Sequence, residues 1–228
     1  MNKNFIKKEK WIDKKRKINL LLSKSSWLYS YRHQLKHILR KKKNTVKIIC
    51  DHRSISKADI SFVLSYYKII PMRFLTRSKM NLVIHESDLP LGRGFAPLTW
   101  QILNGRNRII FSLLNINSSS KIPDSGNILL KSKIKLRGDE LIDEIRDLTL
   151  NLYKKMINKF FGFKINFKGK KQNGQATYFK RRRPKDSKIK VNQNIKKIFN
   201  LLRVVDNTKY PAFFSYKNNK YFLRVSKK

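Results

Sequence analysis

Residues 81–105, NLVIHESDLPLGRGFAPLTWQILNG, decide how the rest of the chain is read. They open on an apolar β-like run, Asn81-Leu82-Val83-Ile84, which delivers His85 at its end. A turn-rich segment follows, with Pro90, Gly92 and Gly94 where the backbone must bend or be approached closely. Leu98, Ile102 and Leu103 then outline a short helix that Asn104-Gly105 stops. A His at the carboxyl end of a buried strand, followed by a glycine-containing loop, is where open α/β sheets place ligands. Spacing alone equally suits a core histidine satisfied by its neighbours.

Upstream, residues 17–22, 46–50 and 60–64 read as three strands, the last rich in β-formers. Between the first two, Leu28, Tyr31, Leu35 and Leu39 recur at helical spacing after Ser25-Ser26, a possible cap. Strands alternating with helical segments predict an α/β fold: a Rossmann-like, mainly parallel sheet with helices on both faces. Downstream, residues 108–116 alternate as a strand, 117–121 form a Ser-rich loop and 128–136 are extended again. Residues 138–161 carry the strongest helix pattern. Leu141, Ile145, Leu148, Leu152 and Met156 mark one face, with acids at its start and lysines at its end, as the dipole favours.

Beyond Gly162 the composition shifts. Residues 168–174 are a basic linker, and 178–187 interleave Tyr178 and Phe179 with Arg181, Arg182 and Arg183, a pattern that can hold nucleic acid by stacking and phosphate contact. Ile195, Ile198, Phe199 and Leu202 outline a helix, and residues 210–214 and 221–225 a β-hairpin joined at Asn218-Asn219. The expected organisation is a basic extension at 1–16, a main domain at 17–165 and a small α+β appendage at 166–228 able to make a homodimer contact.

The chain has 228 residues and a net charge of +40, from 54 Lys plus Arg against 14 Asp plus Glu. Such a field attracts nucleic acid, anionic surfaces or phosphorylated ligands. The joint abundance of Lys, Asn and Ile also fits an A/T-rich genome. The single cysteine, Cys50, has no internal disulfide partner, which suits a reducing compartment. No apolar run approaches the ~18 residues of a membrane span, and no signal-peptide block precedes a cleavage site, so a soluble cytoplasmic protein is expected. There is no P-loop, GxGxxG or nucleophile elbow. His33 and His37 lie four apart on one helix without a third ligand type beside them, and read as surface histidines.

The pattern His-x-Ser-x-Leu-Pro-x-x-Arg-Gly, here His85, Ser87, Leu89, Pro90, Arg93 and Gly94, resembles the signature of the folate-dependent formyltransferase family. That family includes methionyl-tRNA formyltransferase and the nucleotide-sugar N-formyltransferases. Residues 97–105 resemble its next helix, and Asp124-Ser125-Gly126-Asn127-Ile128 its later Asp-x-Gly-x-Ile loop. Residues 179–187 resemble a Phe-x-x-Arg-x-Pro-x-Asp-Ser segment that follows the catalytic core, notably in sugar-modifying members.

The resemblance implies a formyl donor, 10-formyltetrahydrofolate, and an amine acceptor. It assigns proton transfer to His85 and orientation and charge stabilisation to Asp124. It places the pterin slot at Tyr67, Ile69, Ile70, Leu89 and Asp124, and the substrate contacts at Ser87, Arg93 and Gly94. A short tail favours a nucleotide-linked amino sugar over tRNA, while the charge favours tRNA. One position departs from the family: Val83 stands two residues before His85, where an Asn helps hold the formyl oxygen. Asn81 is roughly 13 Å along the strand from His85, so backbone N–H groups, Gln101 or Asn104 are expected to take over. A non-catalytic RNA-binding protein on a degenerate formyltransferase fold is the rival reading.

Overall fold

The computed structural model describes residues 15–40, 43–116, 122–162 and 168–228. The Ser-rich loop at 117–121 and most of the basic extension lie outside these. Strands β1 (Lys17–Leu21), β2 (Thr45–Ile49), β3 (Ala58–Val63) and β4 (Ser78–His85) are parallel, as their alternation with helical segments predicts. The two-residue β5 (Arg93–Gly94) lies in the loop after β4. Then β6 (Arg108–Asn115) and β7 (Asn127–Lys135) add to β4 antiparallel, giving the order β2-β1-β3-β4-β6-β7. The chain leaves β1 towards β2 and returns to β3 on the other side. Loops therefore diverge at the carboxyl ends of β1 and β3 and leave a crevice, where open sheets hold ligands.

Helices cover the two faces unequally. The larger core gathers Leu20, Phe62, Leu82 and Phe111 from the sheet under α1 (Arg32–Arg40), where a 3₁₀ turn replaces the first part of the expected helix. The opposite face carries a smaller cluster, Leu21, Ile49, Ile55 and Val63, covered by Phe74 of the one-turn α2 (Met72–Leu75). The short α3 (Pro97–Leu103) follows the glycine loop and turns Leu98 and Ile102 into the larger core. The long α4 (Ile142–Phe160) buries Ile145, Thr149, Leu152, Tyr153, Met156, Ile157 and Phe160 against it. Leu148, expected on that face, is exposed, because the buried stripe advances by 3.6 residues per turn and passes through Thr149.

The tail is tied back to this body. The two-residue β8 (Tyr178–Phe179) pairs with β5, and α5 (Ile195–Leu202) turns Ile198 and Leu202 inward. Arg203, just beyond α5, donates from Nη2 to Glu140 at 2.7 Å, a fully buried ion pair, and from Nη1 to Asn107 at 2.9 Å. Strands β9 (Ala212–Tyr216) and β10 (Asn219–Leu223) form the expected hairpin. Its turn is Lys217-Asn218, one residue earlier than expected, and both turn residues have positive φ, as a two-residue type I′ connection requires. Among the described residues, no helix is long and apolar enough to cross a membrane, and no His/Cys/Asp/Glu group could hold a metal ion.

Candidate active site

Along β4 the side chains alternate. Met80, Leu82 and Ile84 enter the larger core, while Val83 packs against the smaller one. His85 ends the strand, buried, with Nε2 2.8 Å from the carbonyl oxygen of Gly92. A carbonyl only accepts, so Nε2 carries the hydrogen and Nδ1 is left with a free lone pair. Nδ1 faces Asp124 Oδ1 at 3.6 Å, too long for a hydrogen bond but within reach of an ion pair when the ring is protonated. The other carboxylate oxygen, Oδ2, accepts from the Gly94 N–H at 2.9 Å. One glycine loop thus orients both members of the couple.

The loop that carries Asp124 is held as tightly. Asp124 has a φ of 57°, in the left-handed region that Asn and Asp enter more readily than other non-glycine residues. A Cβ on Gly126 would run into the backbone carbonyl of Asn115, so only glycine lets the loop close on β6. Gln172 bridges this loop to the glycine loop. Its Nε2 donates to the carbonyls of Asp124 and Gly126 at 2.6 and 2.9 Å, and its Oε1 accepts from Arg93 Nη2 at 2.7 Å. Arg93 also donates to the Tyr178 hydroxyl at 3.3 Å. The guanidinium expected at a substrate is therefore committed inside the chain. Gly94, expected with it, abuts the backbone of Phe179 with no room for a side chain.

The expected pterin slot is divided. Tyr67 and Ile69 are exposed beyond β3, and Ile70 packs on the smaller core. Among the described residues, the backbone groups of Ile69 and Ile70 make no hydrogen bond. Backbone groups with no partner beside apolar side chains are able to meet the polar edge of a flat ring. Leu89, by contrast, is buried behind the loop. Ser87 is 1% exposed, its side chain lies against Gly92, and its hydroxyl has no partner among the described residues.

Neither side chain expected to replace the missing Asn is available for it, and Asn81, already too far along the strand, donates to the Leu75 carbonyl at 3.0 Å. Gln101 spends its amide on the carbonyls of Glu86 at 2.7 Å and Pro97 at 3.1 Å, and Asn104 is exposed at the far end of α3. Two of the three arginines of the run have partners inside the chain, while Arg183 is exposed. Arg181 stacks 4.3 Å over Phe95 and donates to the Tyr67 carbonyl, Arg182 donates to Ser187, and Lys180 lies over Trp100. These contacts strap the 178–187 segment to α3 and the crevice.

One residue escaped the sequence reading altogether. Glu86 follows His85 directly, and its carboxylate accepts from the Tyr153 hydroxyl at 3.0 Å. Burial pushes its pKa up, outweighing the Tyr153 hydrogen bond and the nearby His85 and Leu98 N–H. Its position beside the motif histidine was the available signal.

A buried imidazole at the carboxyl end of a parallel strand, faced by a carboxylate under a glycine loop, marks an open α/β protein with a candidate site at the end of β4. The formyl transferase family model matches residues 13–160, and the chain belongs to that family. It is 31% identical over 198 residues to the bifunctional polymyxin resistance protein ArnA of Wigglesworthia glossinidia brevipalpis, covering 82% of this chain and 28% of that one. A solved methionyl-tRNA formyltransferase from Clostridium thermocellum shares the fold at a TM-score of 0.77 and 24% identity, covering 93% of each chain. A sugar N-formyltransferase from Shewanella does so at 0.62 and 15%, covering 92% of this chain and 98% of that one. The chain spans between 28% and 57% of the length of the first curated relatives it matches.

Proposed function

We propose that this chain is a folate-dependent N-formyltransferase that moves a formyl group from 10-formyltetrahydrofolate to the amine of a nucleotide-linked amino sugar. The observation that carries the reading is the His85–Asp124 couple, in which the Gly92 carbonyl leaves Nδ1 as the basic ring atom 3.6 Å from a carboxylate. The folate, when bound, supplies an activated formyl carbonyl. Tyr67 and the backbone edge of Ile69 and Ile70 hold its ring. As the amine nitrogen bonds to the formyl carbon, His85 Nδ1 accepts the proton the amine must lose. His85 then gives that proton to the folate nitrogen as its bond to the formyl carbon breaks, and Asp124 offsets the imidazolium charge in between. The Ser87 hydroxyl is unpartnered but buried, so in this reading backbone N–H groups hold the formyl oxygen in place of the absent Asn. Arg93 and Gln172 act indirectly, by fixing the loop of Asp124.

The acceptor assignment is supported by the match to the 179–187 segment; fold likeness does not favour it, since it extends to methionyl-tRNA and sugar N-formyltransferases alike. Transfer to methionyl-tRNA is the second reading, favoured by the +40 charge. Equilibrium binding of 5-formyltetrahydrofolate to the wild type and to Asp124→Ala tests the donor site. Saturable binding that weakens in the variant supports it, and no binding at millimolar ligand by folded protein overturns it. Competition by bulk tRNA with a steep salt dependence would move the acceptor to tRNA.

A further inference from the structure

A second cavity lies at the end of the sheet opposite His85. The end of α1 and the amino-terminal ends of β1 and β2 enclose about 390 Å³ between Lys15, Lys36, Arg40 and Lys43, with Thr45 and Val46 beside them. That volume falls in the range of small-ligand sites, about 300–1,000 Å³. Buried Asn44 fixes the framework. Its Oδ1 accepts from the Arg16 N–H at 3.1 Å, and its Nδ2 donates to the Leu39 carbonyl at 3.0 Å. The Thr45 N–H donates to the Arg16 carbonyl at 2.8 Å. The backbones that carry the four cations are therefore tied together. Lys43 stands at a φ of 60°, a conformation that glycine adopts at less cost.

These cations lack a counter-charge. The sequence has no acidic residue between Asp13 and Asp51. Among the described residues, no carboxylate pairs with Lys15, Lys36, Arg40 or Lys43. Asp59, at the start of β3, is taken by the Lys17 N–H at 3.0 Å and the Lys79 ammonium at 2.7 Å. Arg16 is turned inward, buried with its guanidinium over the Phe161 ring. The helix dipole accounts for Arg40, in the last turn of α1, but not for Lys36 a turn earlier or for Lys15 before β1. Lys36 and Arg40 are four apart on one helix face, where like charges repel, so an anion between them relieves a cost. Among the described residues, no exposed large apolar side chain belongs to α1, β1 or β2. There is nothing apolar here to stack a base on or to insert into a bilayer. Cations converging on a concave space fit several negative charges carried by one compact group.

We propose that Lys15, Lys36, Arg40 and Lys43 form a binding site for an oligophosphate anion. The Arg40 guanidinium presents paired N–H donors to two phosphate oxygens, and the three lysines act as point charges. The site lies at the amino ends of β1 and β2, away from the crevice, so its failure and the failure of the formyl-transfer reading are separate results.

The test is isothermal titration calorimetry of the full chain with sodium tripolyphosphate in a buffer free of other phosphate. The wild type is expected to bind a single equivalent, and to bind it more weakly as salt rises. Lys36→Gln/Arg40→Gln is expected to bind at least ~10-fold more weakly, the usual consequence of losing charged hydrogen-bond partners. Lys133→Gln/Lys135→Gln removes the same charge from exposed positions on β7 and is expected to bind like wild type. Unchanged circular dichroism establishes that each variant is folded. Loss in the first variant alone supports the site. Equal weakening in both variants assigns binding to the field of the whole chain and overturns it. No saturable binding by the wild type at millimolar tripolyphosphate, or sulfate binding as tightly, overturns it as well. A short RNA duplex that needs Lys36 and Arg40 where tripolyphosphate does not bind gives the face to nucleic acid instead.

Discussion

His85 Nε2 lies 2.8 Å from the carbonyl oxygen of Gly92, and this contact selects the imidazole nitrogen that can do chemistry. With Nε2 spent on a carbonyl, the lone pair on Nδ1 faces Asp124. His85→Asn removes the base, and formyl transfer is expected to fall about 10²- to 10⁴-fold, the usual worth of a positioned proton acceptor. Asp124→Asn retains an oxygen for the Gly94 N–H but loses the charge, so kcat should fall far more than 5-formyltetrahydrofolate affinity. Steady-state kinetics beside equilibrium binding measures the split. Equal losses in both would mean that Asp124 only shapes the folate site.

The bond from Arg93 to Gln172 makes a second prediction. Gln172 ties the glycine loop to the Asp124 loop and touches neither reacting side chain of the couple. Gln172→Ala leaves the Asp124 and Gly126 carbonyls without these donors and is expected to cost about 1–3 kcal/mol in urea unfolding. It should also lower kcat, because the Asp124 loop loses the donor that ties it to the glycine loop. Wild-type kcat in a measurably destabilised variant would show that the glycine loop positions Asp124 unaided.

Much of this site is legible in the sequence, and the limits are physical. Apolar alternation delivers His85 to a strand end, and glycines mark where backbones must touch, so the His85, Gly92 and Gly94 geometry follows from local chemistry. Strand direction does not, because a period of two reads identically forwards and backwards; the antiparallel setting of β6 and β7 is therefore invisible to it. Nor do partners far along the chain. The guanidinium of Arg93 reads as a substrate contact, yet Gln172, 79 residues away, occupies it. The arginine run at 181–183 shows the same limit: composition names the cations but not the Phe95 ring and Tyr67 carbonyl that engage Arg181, nor the Trp100 N–H that holds the Lys180 carbonyl.

Glu86 gives a pH prediction with a definite sign. Burial raises its folded pKa above the unfolded value of 4.5, so the native state binds the extra proton in that window. Its contribution to stability is greatest at low pH and declines as pH rises through the raised folded value. Glu86→Gln keeps an acceptor for the Tyr153 hydroxyl without the ionisation, so the decline should flatten. Urea unfolding of both proteins from about pH 4 upwards follows this directly, and parallel profiles would place the carboxylate's titration outside the folding equilibrium.

The buried pair between Arg203 and Glu140 predicts how the tail is held to the main body. Burial opposes ionisation of Glu140, but the backbone N–H groups around it, including those of Arg137 and Gly138, and the Arg203 charge leave its pKa below 4.5. Its contribution is therefore complete above the unfolded value and lost as pH falls through the depressed folded value. Removing one partner strands the other in the interior. Glu140→Ala or Arg203→Met should each cost ~3–5 kcal/mol, whereas Glu140→Leu/Arg203→Met should cost clearly less than either, since no charge is left buried. Chemical denaturation of the three variants forms the cycle. A double variant as unstable as the sum of the singles would mean that the two side chains act independently, with Arg203 anchored mainly by Asn107 and the Glu140 carbonyl.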